Sequence, residues 1–457
     1  SHIVVALREQ EQIHPLWGLG SNDSGQLGEQ TKNWKQTPIQ IANHIPNIAQ
    51  LDCLPGNTFL LTLKGELYIS GHDFFKKIDT SSLSADPFQI VAFAANELFT
   101  FVLALVKEGT EVKTRVYQIN SVFFQKEDVS SQKLLLLIAT SKLVENRLSL
   151  VEGFEDNIVQ MAAGKLHVLF LNDHGIVYFL GDDSLLQNKP IKTPTKIEFP
   201  KGVLVKQIFA GGRQSFFLTT QNELYAAGEL LEGALGVEYS NPNENLYLNG
   251  IHMAQPRKVN LSEFLKEGQT IVDIASHGDF TTLLAQDTKG KKQIYGSGRN
   301  HYPQLREASP SSTIKFTPIP LNSLKNLQTI EFSSLQILEP SSKENDSLKK
   351  NQIKNIEIDS SSLNLSKGEE KLPSLSEELK KCSNFEVLYE KICKANPNKV
   401  LFASPQHLAY LDSNENTVTL WGNKILTRVK NKDHSSPLKV QFKQTILSIG
   451  LGSSHIV

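Results

Sequence analysis

Residues 17–30 read WGLGSNDSGQLGEQ, a segment built around closely spaced glycines. The glycines are Gly18, Gly20, Gly25 and Gly28. Glycine tolerates a positive φ and lets strands approach closely, so these positions predict tight turns next to strand ends. We expect the large side chains, Trp17 and Leu27, to pack between structural units. Weaker copies read GELLEGALG at 228–236 and GSGRNHYPQL at 296–305, so the segment belongs to a repeat.

Short strand-like segments that end in glycine recur along the chain. They are PLWG ending at Gly18, LYISG at Gly71, VYFLG at Gly181, LYAAG at Gly228, IYGSG at Gly298 and TLWG at Gly422, with a degenerate VYQIN at Asn120. Several follow an apolar strand, a turn of small residues and a second strand, as in 159–171 and 206–218. A proline often opens a further strand after them, as in TPIQI at 37–41 and DPFQI at 86–90. A period of about 50 residues with about four short strands is the unit of a β-propeller blade, and seven copies predict seven blades.

The letters SHIV occur at both ends of the chain, at 1–4 and at 454–457. When the repeats are aligned, His2 and His455 both fall where the fourth copy has His167. Blade one lacks its first strand at the start of the chain, and residues 446–450 can supply it. We therefore predict an all-β ring closed by pairing of the N- and C-terminal strands, which removes unpaired sheet edges. Only one SHIV can occupy the paired position. The alternative explanation of the repeated letters is a tag remnant at the start of the chain that matches the tail by coincidence.

The segment at 17–30 resembles the signature WGxGxNxxGQLGxG of the regulator of chromosome condensation (RCC) repeat family. The resemblance covers nearly all of the chain except about 333–398. It implies a seven-bladed β-propeller closed by its termini. It also implies a protein partner, because the family includes an exchange factor for the small GTPase Ran.

In the resembling family, the GTPase is held by the turns that contain the aligned histidine position, with acidic side chains beside it. Carried over residue by residue, this implies contacts from Glu97, Lys165, Arg213 and Asp279, in blades three to six. Lys165 stands where the family's Ran exchanger has an acid, so the match is partial.

Exchange in that family also depends on a β wedge that follows the glycine-ended strand of the third blade. Residues 121–132, SVFFQKEDVSSQ, hold that place here, and their letters differ from the family's loop. The candidate wedge residues are Phe123, Phe124, Glu127 and Asp128.

An insertion separates the sixth and seventh copies. We assign 1–338 and 399–457 to the propeller and 339–398 to the insertion. Residues 339–368 are rich in Ser, Asn and Lys and predict a disordered or flexible loop. A helix is predicted over about 374–396, because Ser374 and Glu377 form a capping box and an apolar stripe follows. We expect this stripe to dock on the propeller, with partner binding in trans as the alternative.

Composition and motifs exclude several classes of protein. The formal net charge is -1, so the cationic field and basic arm typical of proteins that bind nucleic acids are missing. The three cysteines lack CxxC spacing, which argues against a zinc site and fits a reducing intracellular setting. No apolar run reaches the length that spans a bilayer. Phosphate-binding, metalloprotease and nucleophile-elbow motifs are absent, so we expect no covalent chemistry, catalytic residue, metal or cofactor. The aligned histidines are expected to be buried hydrogen-bonding residues.

Two functional hypotheses follow. The first is a propeller that binds a Ran-like small GTPase and promotes guanine nucleotide exchange, in the cytoplasm or nucleus. The second is a scaffold that recruits another protein without promoting exchange. The Lys-, Asn- and Ser-rich insertion would also suit a microbial protein, such as a bacterial effector secreted into a host cell.

Overall fold

The fold was determined as a computed structural model. It describes residues 2–8, 16–30, 33–45, 47–54, 56–70, 74–80, 88–96, 100–119, 148–181, 191–237, 252–301, 305, 312–319, 330–331, 376–404, 407–422, 438–441 and 445–451. The second SHIV, the wedge segment at 121–132, the loop at 339–368 and Glu97 lie outside these residues.

Seven mainly antiparallel sheets account for nearly all of the secondary structure of the described residues. Their strands are, in chain order, β1 (His2–Arg8), β2 (Leu16–Gly20), β3 (Lys35–Ile41), β4 (Ile48–Leu54), β5 (Asn57–Thr62), β6 (Leu67–Ile69), β7 (Lys76–Lys77), β8 (Phe88–Ala95), β9 (Thr100–Glu108), β10 (Glu111–Ile119), β11 (Leu148–Leu150), β12 (Ile158–Ala163), β13 (His167–Asn172), β14 (Val177–Gly181), β15 (Ile191–Lys196), β16 (Val205–Ala210), β17 (Gln214–Thr219), β18 (Leu224–Glu229), β19 (His252–Lys258), β20 (Thr270–His277), β21 (Phe280–Gln286), β22 (Lys292–Arg299), β23 (Ser312–Ile319), β24 (Ile330–Glu331), β25 (Leu401–Ser404), β26 (His407–Asp412), β27 (Thr417–Gly422), β28 (Leu438–Gln441) and β29 (Thr445–Leu451). Short 3-10 turns occupy Leu231–Gly233 and Leu261–Glu263.

Each sheet is one blade of a seven-bladed β-propeller. Blades two to six run outward from the axis in sequence order, and blade seven adds β24 in parallel beside β28. Middle strands such as β13 and β17 are buried at every position, because each blade packs between two others. They are rich in aromatic and aliphatic residues, whereas the short outer strand β7 consists of two exposed lysines.

The ring closes in blade one, whose order is β29-β1-β2-β3. Strand β29 pairs antiparallel with β1, with Val4 opposite Gly450 and Val5 opposite Ile449. The predicted closure is therefore confirmed, and the first SHIV is the copy that pairs. The DPFQI segment differs from the other proline-started segments: its strand residues open β8, the innermost strand of blade three. The two-residue β7 serves as the outer strand of blade two instead.

Polar side chains at bulges of the innermost strands tie neighbouring blades together. Gln50 donates to the Phe93 carbonyl at 2.9 Å and accepts from its N–H at 3.1 Å, joining blades two and three. Gln160 of blade four makes the same pair of bonds to Ile208 of blade five. At the matching bulge of blade six stands Asp273, which accepts only.

The helical part of the insertion docks on the propeller, as the apolar stripe predicted. Two helices, α1 (Glu377–Lys380) and α2 (Phe385–Ala395), replace the single helix expected over about 374–396. The helix breaks because Asn384 turns its side chain to blade three: its amide donates to the Val112 carbonyl and accepts from the Val112 N–H, both at 2.8 Å. The buried side chains of α2 join a cluster with residues of blades three to five. They are Phe385, Leu388, Tyr389, Ile392 and Ala395.

Residues 376–400, here called the strap, cross from one side of the ring to the other. At its far end, Asn396 donates to the Val159 carbonyl of blade four at 2.7 Å. Four residues later the chain reaches blade six, where Asp273 Oδ2 accepts from the N–H groups of Val400 and Leu401, each at 2.9 Å. The chain then enters β25. The strap lies at the end of the blades that carries the β9–β10 turn, where the backbone N–H of Ser383 donates to the Thr110 carbonyl.

Candidate protein-binding face

The glycine-rich segment has the same packing in two blades, which shows why the motif recurs. A methyl group at Gly18 would lie 2.8 Å from Leu27 Cδ2, and one at Gly296 would lie 2.8 Å from Leu305 Cδ2. Glycine is required at both places because a buried leucine folds back over the strand. The leucine N–H is held by an asparagine in each copy, Asn22 Oδ1 in blade one and its counterpart in blade six, both at 2.8 Å.

The same loops lock each blade to the next. Gly20, Gly25 and Gly28 have positive φ values of 105°, 73° and 69°. A side chain on Gly28 would overlap the ring of Phe75 in blade two, and one on Gly236 would overlap Phe316 in blade six. These glycines therefore have structural roles.

Trp17 and Leu27, the two large side chains of the motif, differ in burial. Leu27 is fully buried in the cluster between blades one and two. Trp17 is half-buried and packs against the cluster between blades seven and one.

The aligned histidines join blades by hydrogen bonds. His2 Nε2 lies 2.9 Å from Thr58 Oγ1 of blade two, and His167 Nε2 lies 3.0 Å from Ser215 Oγ of blade five. Burial lowers the pKa of His2 to about 3 and that of His167 to about 4, so both are neutral at pH 7. No group of three His, Cys, Asp or Glu side chains in the described residues could hold a metal ion.

The turns between the first and second strands of blades four, five and six form one continuous surface, here called the turn face: residues 164–166, 211–213 and 276–279. The Lys165 N–H donates to the Gly211 and Gly212 carbonyls at 3.0 and 2.8 Å. Gly212 lies so close to the next turn that a methyl group on it would be 2.7 Å from the Gly278 oxygen. Backbone contacts therefore fix the three turns relative to one another.

Blade three reaches the same surface through Asn96. This buried side chain donates to the Gly164 carbonyl at 2.8 Å and to the His167 carbonyl at 3.3 Å. Glu97, the first GTPase-contact candidate, follows it in the sequence and lies outside the described residues, as do Phe123, Phe124, Glu127 and Asp128 of the wedge segment.

The other three contact candidates, Lys165, Arg213 and Asp279, all lie on the turn face. Lys165 is exposed and Arg213 is half-buried. The Asp279 carboxylate pairs with Arg299 at 3.1 Å, with both side chains about two-fifths exposed (42% and 41%). The only acid among the three described turns is therefore already neutralised.

Two further residues of this surface, Arg299 and His277, were not predicted from the sequence. Arg299 follows the glycine-ended strand of blade six, and its N–H donates to the Asp279 carbonyl at 2.9 Å. Aligning that strand with β21 would have placed the two side by side. His277 stands where the aligned copies in blades four and five have Gly164 and Gly211, and its buried Nδ1 has no hydrogen-bond partner in the structure. Burial, and then the charge of Lys165, lower the pKa of His277 to about 4.

Known proteins resemble this chain in sequence and in fold. No family model matches the sequence. An RCC1-like G exchanging factor-like protein of Mus musculus is 26% identical over 170 residues, which are 35% of this chain and 33% of that protein. The matched region thus spans about a third of the length of this relative.

Solved structures share the ring over nearly its full length. Yeast RCC1 (Prp20), solved with Kap60, superposes with a TM-score of 0.61 at 16% identity, covering 98% of this chain and 88% of that one. A structure of Prp20p from Saccharomyces cerevisiae, described with its binding to Gsp1p and histones, has a TM-score of 0.57 at 16% identity and covers 97% and 92%. This chain has the seven-bladed β-propeller fold of these RCC1 structures and is similar in sequence to RCC1-like proteins. In this ring the glycine-rich loops connect neighbouring blades, as the contacts of Gly28 with Phe75 and of Gly236 with Phe316 show. No helix among the described residues has both the length and the apolar character needed to cross a membrane.

Proposed function

We propose that the turn face binds a Ran-like small GTPase and promotes guanine nucleotide exchange, which places its site of action inside a cell. The observation that carries the proposal is the joining of the turns at 164–166, 211–213 and 276–279 into one surface with charged side chains. These are the turns that the RCC resemblance implicates. The name of the mouse relative, a G exchanging factor-like protein, supports the same activity.

Exchange needs no nucleophile in this protein. A partner that binds the nucleotide-free GTPase more tightly than the nucleotide-bound form weakens nucleotide binding by the same factor, through linkage. Only differential affinity is required, and a rigid surface provides it without the entropy cost of ordering loops on binding. Backbone contacts between turns, such as Lys165 with Gly211, supply that rigidity.

The test is release of a fluorescent guanine nucleotide from purified Ran, with Rho and Rab GTPases in parallel. Wild type is compared with Glu97→Ala/Asp279→Ala. The control is Glu198→Ala/Glu267→Ala, which removes two exposed acids at the other end of the blades. We expect faster release with wild type and the control, and loss of the effect in the first variant. If a folded wild-type protein accelerates none of the GTPases, the exchange proposal is wrong.

A second candidate function is a scaffold that binds a protein partner without promoting exchange. The pairing of Asp279 with Arg299 favours it, because the carboxylate expected to contact a GTPase is already engaged. Binding to immobilised Ran without accelerated release would support the scaffold function over exchange.

A further inference from the structure

We infer that the turn face of blades four to six binds carboxylate groups of an acidic surface on a protein partner, through Lys165, Arg213 and His277. The inference rests on the proposed function only in taking the turn face as the partner-binding surface. It adds the charge that the partner must carry, and this charge is opposite to that expected for an acidic turn face.

The first observation is the imbalance of available charge. Neither Lys165 nor Arg213 forms an ion pair with any described side chain, and the polar contacts of Arg213 run through its backbone. Asp279 is neutralised by Arg299. The described turns therefore offer two cations to a partner and no free carboxylate.

The second observation is a buried polar atom without a partner beside these cations. His277 is neutral at pH 7, because burial and Lys165 hold its pKa at about 4. Its Nδ1 is buried and has no hydrogen-bond partner. Nδ1 carries the proton in one of the two neutral tautomers, and in that tautomer a carboxylate acceptor would recover the free energy that the unpaired N–H costs. A carboxylate only accepts, so it suits both this N–H and the two neighbouring cations.

The third observation is that the backbone positions that carry these side chains are fixed before a partner arrives. Lys165 is anchored by its N–H to two carbonyls of blade five, and Gly212 packs on the backbone of Gly278. Such preorganisation favours a specific site over diffuse attraction.

Overall charge distinguishes a protein partner from nucleic acid. The net charge of the chain is -1, whereas proteins that bind nucleic acids usually carry an extended basic surface. Acids also flank the turn face: Glu229, half-buried, and Glu232, exposed, lie at the end of β18 and just after it. They would repel a polyanion that extends beyond the turns, such as a nucleic-acid strand.

The experiment measures fluorescence polarisation of a labelled octaglutamate peptide with the full chain at low and at physiological salt. The variant Lys165→Glu/Arg213→Glu is compared with Lys201→Glu/Lys289→Glu, which makes the same change of charge at two exposed lysines on the opposite end of the blades. Lys165→Gln/Arg213→Gln removes the cations without adding acids. A single-stranded oligonucleotide of similar length is the competing probe.

We expect salt-sensitive binding of octaglutamate to wild type, a loss of about tenfold or more in both turn-face variants, and little change in the control. No binding by wild type at low salt, or equal losses in turn-face and control variants, would overturn the inference. Tighter binding of the oligonucleotide through the same residues would also overturn it. Nucleotide release from Ran is a separate measurement. If the peptide binds but nucleotide release is not accelerated, this inference stands and the proposed exchange function fails. If release is accelerated but the peptide does not bind, the proposed function stands and this inference fails.

Discussion

Replacing His167 by glutamine should remove part of the acid sensitivity of the fold. His167 is buried, bonds to Ser215 and stacks on Phe179 with ring centroids 5.5 Å apart. Burial lowers its pKa to about 4, whereas the unfolded chain takes up this proton near pH 6.5. Between these values the unfolded state binds more protons, so the free energy of unfolding falls as the pH falls. The loss from His167 is about 2 kcal/mol between pH 7 and pH 5.

Glutamine is the suitable replacement because the chain already uses it at the matching position. Gln214 lies opposite Gly228 in blade five, as His167 lies opposite Gly181 in blade four. Glutamine does not titrate, so the variant lacks the contribution of His167 to the pH dependence of the unfolding free energy. His2 and His277 keep their contributions. Urea unfolding, followed by tryptophan fluorescence at pH 7 and pH 5, measures the difference. The variant should lose about 2 kcal/mol less than wild type. An identical loss in the two proteins would refute the argument.

Three further substitutions test packing, with unfolding free energy as the measurement. Gly28→Ala should destabilise by about 1–3 kcal/mol more than Gly109→Ala, because the two glycines have similar positive φ values but only Gly28 faces another side chain; equal losses would contradict this explanation. Leu388→Ala should cost about 2–5 kcal/mol and Val387→Ala, its exposed neighbour, under about 0.5 kcal/mol, and similar costs would mean that the strap is not docked in solution. Asp273→Asn should cost about 1–3 kcal/mol, because an amide has one acceptor oxygen for the N–H groups that the carboxylate now serves; an unchanged stability would show that these bonds are dispensable.

The sequence predicts the ring well because each repeat carries its own local signal. Gly18 and Gly296 occupy the same place in two blades, and a substitution at either would strike a leucine. Such requirements repeat with the period of the fold and are therefore visible in one chain. Closure was predictable for the same reason, since β29 supplied the strand that blade one lacked.

The destination of the strap was not predictable in this way. An apolar stripe shows that a helix has a buried face but does not show where that face docks. The pairing of Asn384 with Val112 joins the strap to blade three, which is far away in the sequence. The break between the helices depends on that pairing, so helix periodicity alone missed it. The Asp279 and Arg299 pair depends likewise on the register between strands of blade six.

Closure between β1 and β29 has a consequence for biosynthesis. Among the described strands, β1 emerges first from the ribosome and β29 emerges last, so blade one stays incomplete until β29 has been translated. Throughout that time β1 presents an unpaired edge, which other chains can pair with. Chaperones that shield nascent chains should therefore matter more for the yield of this protein than its finished, closed ring suggests.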